Sequence, residues 1–403
     1  MTRNEIYQQC VEEIAKTSCL LLQLPTGFGK TAISLKLCNH LFQNQLKDLK
    51  QVDVLILVAK RVHKQTWREE IEKWGGLIHP KAKINLRMEC YESLHKCLDN
   101  EWTIVLSDET HHIGSEARLE LMKGLRFKYF LGLSATIPRK LQSYFRYRYH
   151  ANIVSCDLVE AIENDVLPEP EILLFPLILD NRNNSETWEV NAKAKGPVVH
   201  GEMKDIWKYK RQKVHAILSC TQKQKCMEYD KLIEWEKNQY MNTRREPLKL
   251  SWLFHAGKRL EFLAYCKNQI VQDILQKLNK ERTITFCKTI EQSEILGKYC
   301  IHSQNGNSND YYNMFNQKKI NHITAVNILN ENANLVDCKY AIFANLSSSE
   351  LVQVQRTGRS LRHKSPVIIL PYYQGTREEE IVQKQIEGFN KSYIRTIHSI
   401  QEI

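Results

Sequence analysis

Leu20-Leu21-Leu22-Gln23-Leu24-Pro25-Thr26-Gly27-Phe28-Gly29-Lys30-Thr31 decides the fold of this chain. An apolar strand that runs into a glycine-bearing turn and then Gly-Lys-Thr is a way of holding a nucleoside triphosphate. The glycines let backbone N–H groups close around the phosphates, and the lysine reaches the outer ones. The threonine hydroxyl suits Mg²⁺, and the following helix directs its positive end at the anion. Thr26, Gly27, Phe28, Gly29, Lys30 and Thr31 are therefore the candidate phosphate residues, with Thr31 a candidate metal ligand. The general phosphate-loop pattern has a glycine where this chain has Leu24, so the dialect is a particular one.

Working outward, the first ~165 residues alternate short apolar runs with helical patterns, as a parallel sheet flanked by helices does. Strands are expected at Leu20–Leu24, Val54–Val58, Ile84–Glu89, Thr103–Ser107 and Tyr129–Leu133. The prolines in Asp165-Val166-Leu167-Pro168-Glu169-Pro170 mark a linker. The run Ile172–Leu179 opens a second α/β region with strands at Thr283–Cys287, Ile323–Asn327, Tyr340–Ala344 and Val367–Leu370. Between them the pattern turns long, polar and helix-compatible, and Lys193 to Leu250 carries 14 Lys/Arg against 7 Asp/Glu. The expected architecture is α/β, with lobes at residues 1–167 and 168–403 and a basic helical insertion at about 181–250.

Length and charge bound the function. A chain of 403 residues has room for two or three domains, and 57 Lys+Arg against 46 Asp+Glu leaves +11, which suits a polyanionic partner. None of the 12 cysteines forms a Cys-x-x-Cys pair, which argues against a zinc site and a disulfide framework. Thiols in apolar segments point to a reducing, cytoplasmic compartment. Val54–Ala59 and Ile172–Leu179 fall far short of the ~20 residues a membrane helix needs.

A second chemical signature is Thr103-Ile104-Val105-Leu106-Ser107-Asp108-Glu109-Thr110-His111-His112. Adjacent carboxylates at a strand end place one on a metal, Asp108, and the other, Glu109, near an attacking water. Adjacent acids also serve as helix caps, and the preceding phosphate loop tips the reading toward catalysis. A third is Gln355-Arg356-Thr357-Gly358-Arg359-Ser360-Leu361-Arg362. Its arginines three apart share one helix face, and across a cleft from ATP Arg359 and Arg362 would neutralise charge on the γ-phosphate. Gln355 would meet the phosphate–water region.

Taken in order, these stretches resemble the motifs of superfamily 2 helicases and translocases. Pro25–Thr31 matches motif I in its Pro-Thr-Gly form, Asp108–His111 matches motif II, and Gln355–Arg362 matches motif VI. Leu133-Ser134-Ala135-Thr136 looks like motif III, and Leu55–Arg61 with Gln65-Thr66-Trp67 resembles motif Ia, with Ala59 in place of the usual proline. Tyr91-Glu92-Ser93-Leu94 is similar to the short element before motif II, and Thr283–Thr289 resembles motif IV. Val326–Leu335 resembles motif V, with Asn332 and Asn334 where glycine and aspartate are usual. The dialect resembles the type III restriction (Res subunit), XPB, RecG and phage UvsW group.

The resemblance implies two tandem RecA-like lobes, ATP and Mg²⁺ in the cleft, and a nucleic-acid strand across the lobes, DNA favoured over RNA. It implies coupling roles for His111, Ser134, Thr136 and Glu331, adenine reading by Gln8, and strand contacts at Arg61 and Tyr91. In the insertion, Trp207-Lys208-Tyr209-Lys210-Arg211 suits stacking and phosphate pairing, with Lys208, Lys210 and Arg211 the candidate contacts; a buried Trp on a solvated basic helix is the equal alternative. The expected activity is an ATP-dependent DNA helicase or translocase. An RNA helicase and a nucleotide-gated nucleic-acid-binding protein without translocation are the alternatives. No membrane is implied, and nothing in the sequence demands a protein partner.

Overall fold

The computed structural model describes residues 1–194, 212–326, 335–347 and 363–403. Six parallel strands form the first sheet: β1 (Cys19–Gln23), β2 (Gln51–Val58), β3 (Lys83–Cys90), β4 (Glu101–Asp108), β5 (Arg126–Ser134) and β6 (Asn152–Ser155). Their spatial order is β3-β2-β4-β5-β1-β6. The strands read as unbroken apolar runs because both faces are covered. Leu20 and Leu22 of β1 pack into one buried cluster, and Cys19 and Leu21 into the other. Val54, Ile56 and Val58 of β2 likewise oppose Leu55 and Leu57. Helices α1 (Arg3–Lys16), α2 (Lys30–Asn44), α3 (Arg61–Lys73), α4 (Glu116–Gly124), α5 (Arg139–Tyr149) and α6 (Leu158–Glu163) connect or flank these strands. α1 starts at a capping box in which Thr2 and Glu5 satisfy each other's backbone amides.

The second sheet holds seven parallel strands: β7 (Glu171–Leu177), β10 (Thr283–Phe286), β11 (Cys300–Ile301), β12 (His322–Ala325), β13 (Tyr340–Phe343), β14 (Val367–Tyr373) and β15 (Ile394–Thr396). Their order is β11-β12-β10-β13-β14-β7-β15. The chain crosses from the first sheet to the second between β6 and β7, through the proline-bearing stretch. The five strands expected in the first region and the four in the second are present, shifted by at most a few residues, and the apolar run that opens the second region is itself the strand β7. The edge strands β6, β11 and β15 were not legible, being short and marked by no long apolar run.

The insertion departs from expectation. It opens not as helix but as an antiparallel ribbon, β8 (Glu186–Ala194) on β9 (Gln212–Cys220), in register from Glu186↔Cys220 to Ala194↔Gln212. The helices follow later and run longer, α7 (Gln222–Thr243) and α8 (Glu246–Cys266). The ribbon is a pairing of distant segments, and local composition does not report such a pairing. It docks on α7 through an edge-on contact of Trp188 with Tyr229, ring centroids 4.7 Å apart. An open groove of about 890 Å³ between ribbon and helices is lined by Trp188, Tyr229, Trp235, Phe254, Lys225 and Lys258. Lys225 pairs with Glu186 and Lys258 with Glu261, so its lysines are already answered by carboxylates.

Where α8 gives way to α9 (Asn268–Lys277), Lys267 is fully buried and its ammonium lies 2.6 Å from the equally buried Glu378. Lys267 also donates to the Pro371 carbonyl, and Glu378 accepts the Tyr373 amide. This pair fastens the end of the insertion to β14. No helix among the described residues is long and apolar enough to cross a membrane.

Candidate active site

In a parallel sheet all strands deliver their carboxyl ends to one edge, where ligands of open α/β folds bind. The phosphate loop leaves β1 at this edge. Gly27 and Gly29 have φ of 95° and 101°, a left-handed backbone in which a side chain is strained. Gly29 caps α2 without any side-chain acceptor, so the helix opens on its own amides. Lys30 Nζ donates to the Leu24 carbonyl at 3.0 Å and lies 3.5 Å from that of Pro25, folding the ammonium over the loop. Thr26 Oγ1 is buried and has no hydrogen-bond partner among the described residues. An orphaned hydroxyl inside a left-handed loop at a helix start fits an anionic ligand.

Phe28 points into the core and is fully buried, so only its backbone belongs to the loop. Its carbonyl accepts from Arg3 Nε at 2.9 Å, while Arg3 Nη2 donates to the Val166 carbonyl at 3.0 Å. Arg3 therefore ties the loop to the stretch leading out of the first lobe, a role that no motif signals. Gln8 lies exposed on α1.

At the end of β4, Asp108 is 6% and Glu109 2% exposed. Glu109 has φ 52° and ψ 55°, a left-handed conformation that costs a residue with a Cβ of order 1–3 kcal/mol. Three neighbours hold this turn. The Tyr91 hydroxyl donates to the Asp108 carbonyl at 2.6 Å and shares a 2.7 Å hydrogen bond with Ser107 Oγ. Thr110 Oγ1 donates to the Ser107 carbonyl at 2.8 Å. The Trp67 indole N–H donates to Asp108 Oδ2 at 2.9 Å.

Beyond the turn, His111 Nδ1 lies 3.0 Å from Ser134 Oγ and 3.4 Å from Glu109 Oε2, and Ser134 Oγ is also 3.4 Å from Glu109 Oε2. Ser134 donates to the Thr136 carbonyl at 2.8 Å. The tips of β4 and β5 are thus joined through one carboxylate, one imidazole and one hydroxyl. Three of the four expected coupling residues come together; Glu331 lies outside the described residues.

One expectation is overturned. Tyr91 is not a surface contact for nucleic acid: it is 2% exposed, and its hydroxyl is spent on the Asp108 turn. Burial raises the pKa of that phenol well above its ordinary value, so it stays a donor. Arg61 is exposed at the start of α3, on the carboxyl edge of β2. Gln355, Arg359 and Arg362, and Lys208, Lys210 and Arg211, lie outside the described residues. Trp67 was quoted in the motif Ia stretch without a role. The signal for it was helical spacing, since the buried His63 stands one turn earlier on the same face.

Comparison with known proteins agrees with this arrangement. Residues 2–139 match the family model of the type III restriction enzyme, res subunit, and residues 266–364 that of the helicase conserved C-terminal domain. The chain belongs to the DEAD/DEAH-type superfamily 2 helicases and translocases, which are ATP-hydrolysing enzymes that bind nucleic acid and in general use ATP with a divalent metal. A relative is the DNA 3'-5' translocase XPB2 of Sulfurisphaera tokodaii, 22% identical over 366 residues, covering 87% of this chain and 76% of that protein. Among solved structures, the ATP-dependent Type ISP restriction-modification enzyme LlaBIII bound to DNA aligns with a TM-score of 0.58 at 13% identity. That alignment covers 99% of this chain and 31% of the other, so this chain spans under a third of that enzyme. S. cerevisiae Dbp5 bound to RNA and ADP BeF3 aligns with a TM-score of 0.57 at 10% identity, over 98% of this chain and 89% of the other. These two likenesses establish the fold, tandem RecA-like lobes.

Proposed function

We propose that the chain is an ATP-dependent DNA helicase or translocase, with residues 1–167 as the ATP-binding lobe and 168–403 as the C-terminal lobe. The observation that carries this reading is the Glu109–His111–Ser134 cluster, which joins a buried carboxylate at the end of β4 to the end of β5, the strand paired with β1 ahead of the phosphate loop.

In this reading the amides of residues 26–31 and Lys30 receive the phosphates, and Gln8 reads the adenine. Thr31 and Asp108 offer hard oxygen ligands of the kind Mg²⁺ takes alongside waters and substrate phosphates. The metal would neutralise charge on the phosphates as the γ-bond breaks. Glu109, nearly water-excluded and aimed by its left-handed backbone, orients and deprotonates the attacking water. Arg359, Arg362 and Gln355 meet the γ-phosphate from the second lobe. His111, Ser134 and Thr136, with Glu331, relay the state of Glu109 toward the strand grip. Closure on ATP and release on ADP are a population shift driven by contacts that differ between the two nucleotides.

DNA is favoured because the Sulfurisphaera tokodaii relative is a DNA translocase and because the chain carries a net charge of +11. The test is steady-state ATP turnover with single-stranded, duplex and forked DNA and with the matching RNAs, at two salt concentrations. DNA should stimulate more than RNA, with stimulation falling as salt rises. Glu109→Gln should lower stimulated turnover about 100-fold or more. Intact turnover in that variant sinks the catalytic assignment, and stronger stimulation by RNA moves the reading to an RNA helicase. ATP-dependent displacement of a triplex strand separates a motor from a nucleotide-gated clamp, which would not displace it.

A further inference from the structure

Trp67 joins two parts of the first lobe that the reaction must coordinate. Its indole N–H donates to Asp108 Oδ2 at 2.9 Å in a buried bond, and the ring is 2% exposed. The side chain belongs to α3, whose first residue, Arg61, is exposed at the carboxyl edge of the sheet. α3 is tied to β3 by Lys64, 3.1 Å from Glu89, which Arg87 also holds at 3.2 Å. The Asp108 backbone is separately held by Tyr91, through its carbonyl. The Trp67 N–H acts on the carboxylate itself, at Oδ2.

We propose that Trp67 is a positioning residue that sets the orientation of the Asp108 carboxylate according to the seating of α3, and so links strand contact at the start of α3 to the metal-side carboxylate. This rests on the reading of Asp108 as a metal ligand. The geometry makes the link steep. A displacement of the Trp67 N–H by about 1 Å away from Asp108 along the N–H···O line carries a 2.9 Å hydrogen bond past its useful range. Outer-shell donors to metal-binding carboxylates commonly govern metal affinity by 10-fold or more. A strand gripped at Arg61 would therefore alter how firmly Asp108 holds its cation, with no contact between strand and nucleotide.

The experiment titrates Mg²⁺ into the full chain with a fluorescent ADP analogue and reads the Mg²⁺ concentration at half-saturation, with and without single-stranded DNA. Trp67→Phe keeps an aromatic ring and removes the donor; Trp67→Leu, which also lacks a donor, is made beside it as a second variant. Trp102→Phe is the control, because Trp102 makes a comparable buried bond to the Cys97 carbonyl at 2.9 Å, away from Asp108. The Trp67 variants should raise the Mg²⁺ requirement about 10-fold and abolish its dependence on DNA, while the control stays at the wild-type value. Either folded Trp67 variant with a wild-type requirement and a wild-type DNA response overturns the proposal, as does an equal shift in Trp102→Phe. A wild-type protein whose ADP binding ignores Mg²⁺ altogether overturns the metal reading of Asp108 itself, a separate result from a Mg²⁺ dependence that Trp67→Phe leaves intact.

Discussion

Tyr91 illustrates how much a single buried hydroxyl can carry. Its motif position drew a reading as a strand contact, yet the fold turns it inward to support the carbonyl of Asp108 beneath the strained Glu109. Tyr91→Phe keeps the ring and removes its hydrogen bonds to that carbonyl and to Ser107, so it should cost about 1–2 kcal/mol in denaturant unfolding. The released turn should also lower turnover while leaving the nucleotide KM near the wild-type value, because the phosphate loop lies on a different strand. A variant with unchanged stability and turnover would remove Tyr91 from the account of the site. At this scale the chemistry-bearing residues were plain from the sequence. Their supports, Tyr91, Trp67 and Arg3, were not, because a hydrogen bond across 17, 41 or 25 positions leaves no local trace.

Among the elements, β5 is the most constrained in its middle. A Cβ on Gly132 would stand 2.6 Å from Leu21 Cδ2 and 2.9 Å from Thr110 Oγ1, so only glycine lets β1 and the Asp108–Thr110 turn close on this strand. Gly132→Ala should destabilise the protein by about 1–3 kcal/mol through overpacking, and should depress turnover more than a loss of the same size in the distant insertion. Wild-type thermal stability in that variant would show that the turn can give way without cost. Strands buried on both faces were legible because parallel sheets demand continuous apolar runs. The ribbon of β8 and β9 was misread as helix because its polar composition satisfies either pattern, and only pairing between its two halves resolves the choice.

Across the whole molecule, the insertion is fastened by a fully buried charge pair. Lys267 and Glu378 are each fully buried and 111 residues apart. Removing one partner leaves an uncompensated charge, so Lys267→Met should cost about 3–5 kcal/mol, whereas Lys267→Met with Glu378→Leu should recover most of the loss. Urea melts of both variants check this, and a single variant as stable as wild type would show that the pair is dispensable. The order of the motifs along the chain by itself determined two successive α/β lobes with the phosphate loop in the first, because that chemistry depends on local backbone and side-chain type. Which side chains hold Asp108 and Glu109 in place, how the insertion is built, and that Tyr91 faces inward depended on contacts between residues far apart in the chain. Such contacts form only once the sheets have stacked, since burial and long-range pairing are properties of the packed molecule and not of any window of sequence.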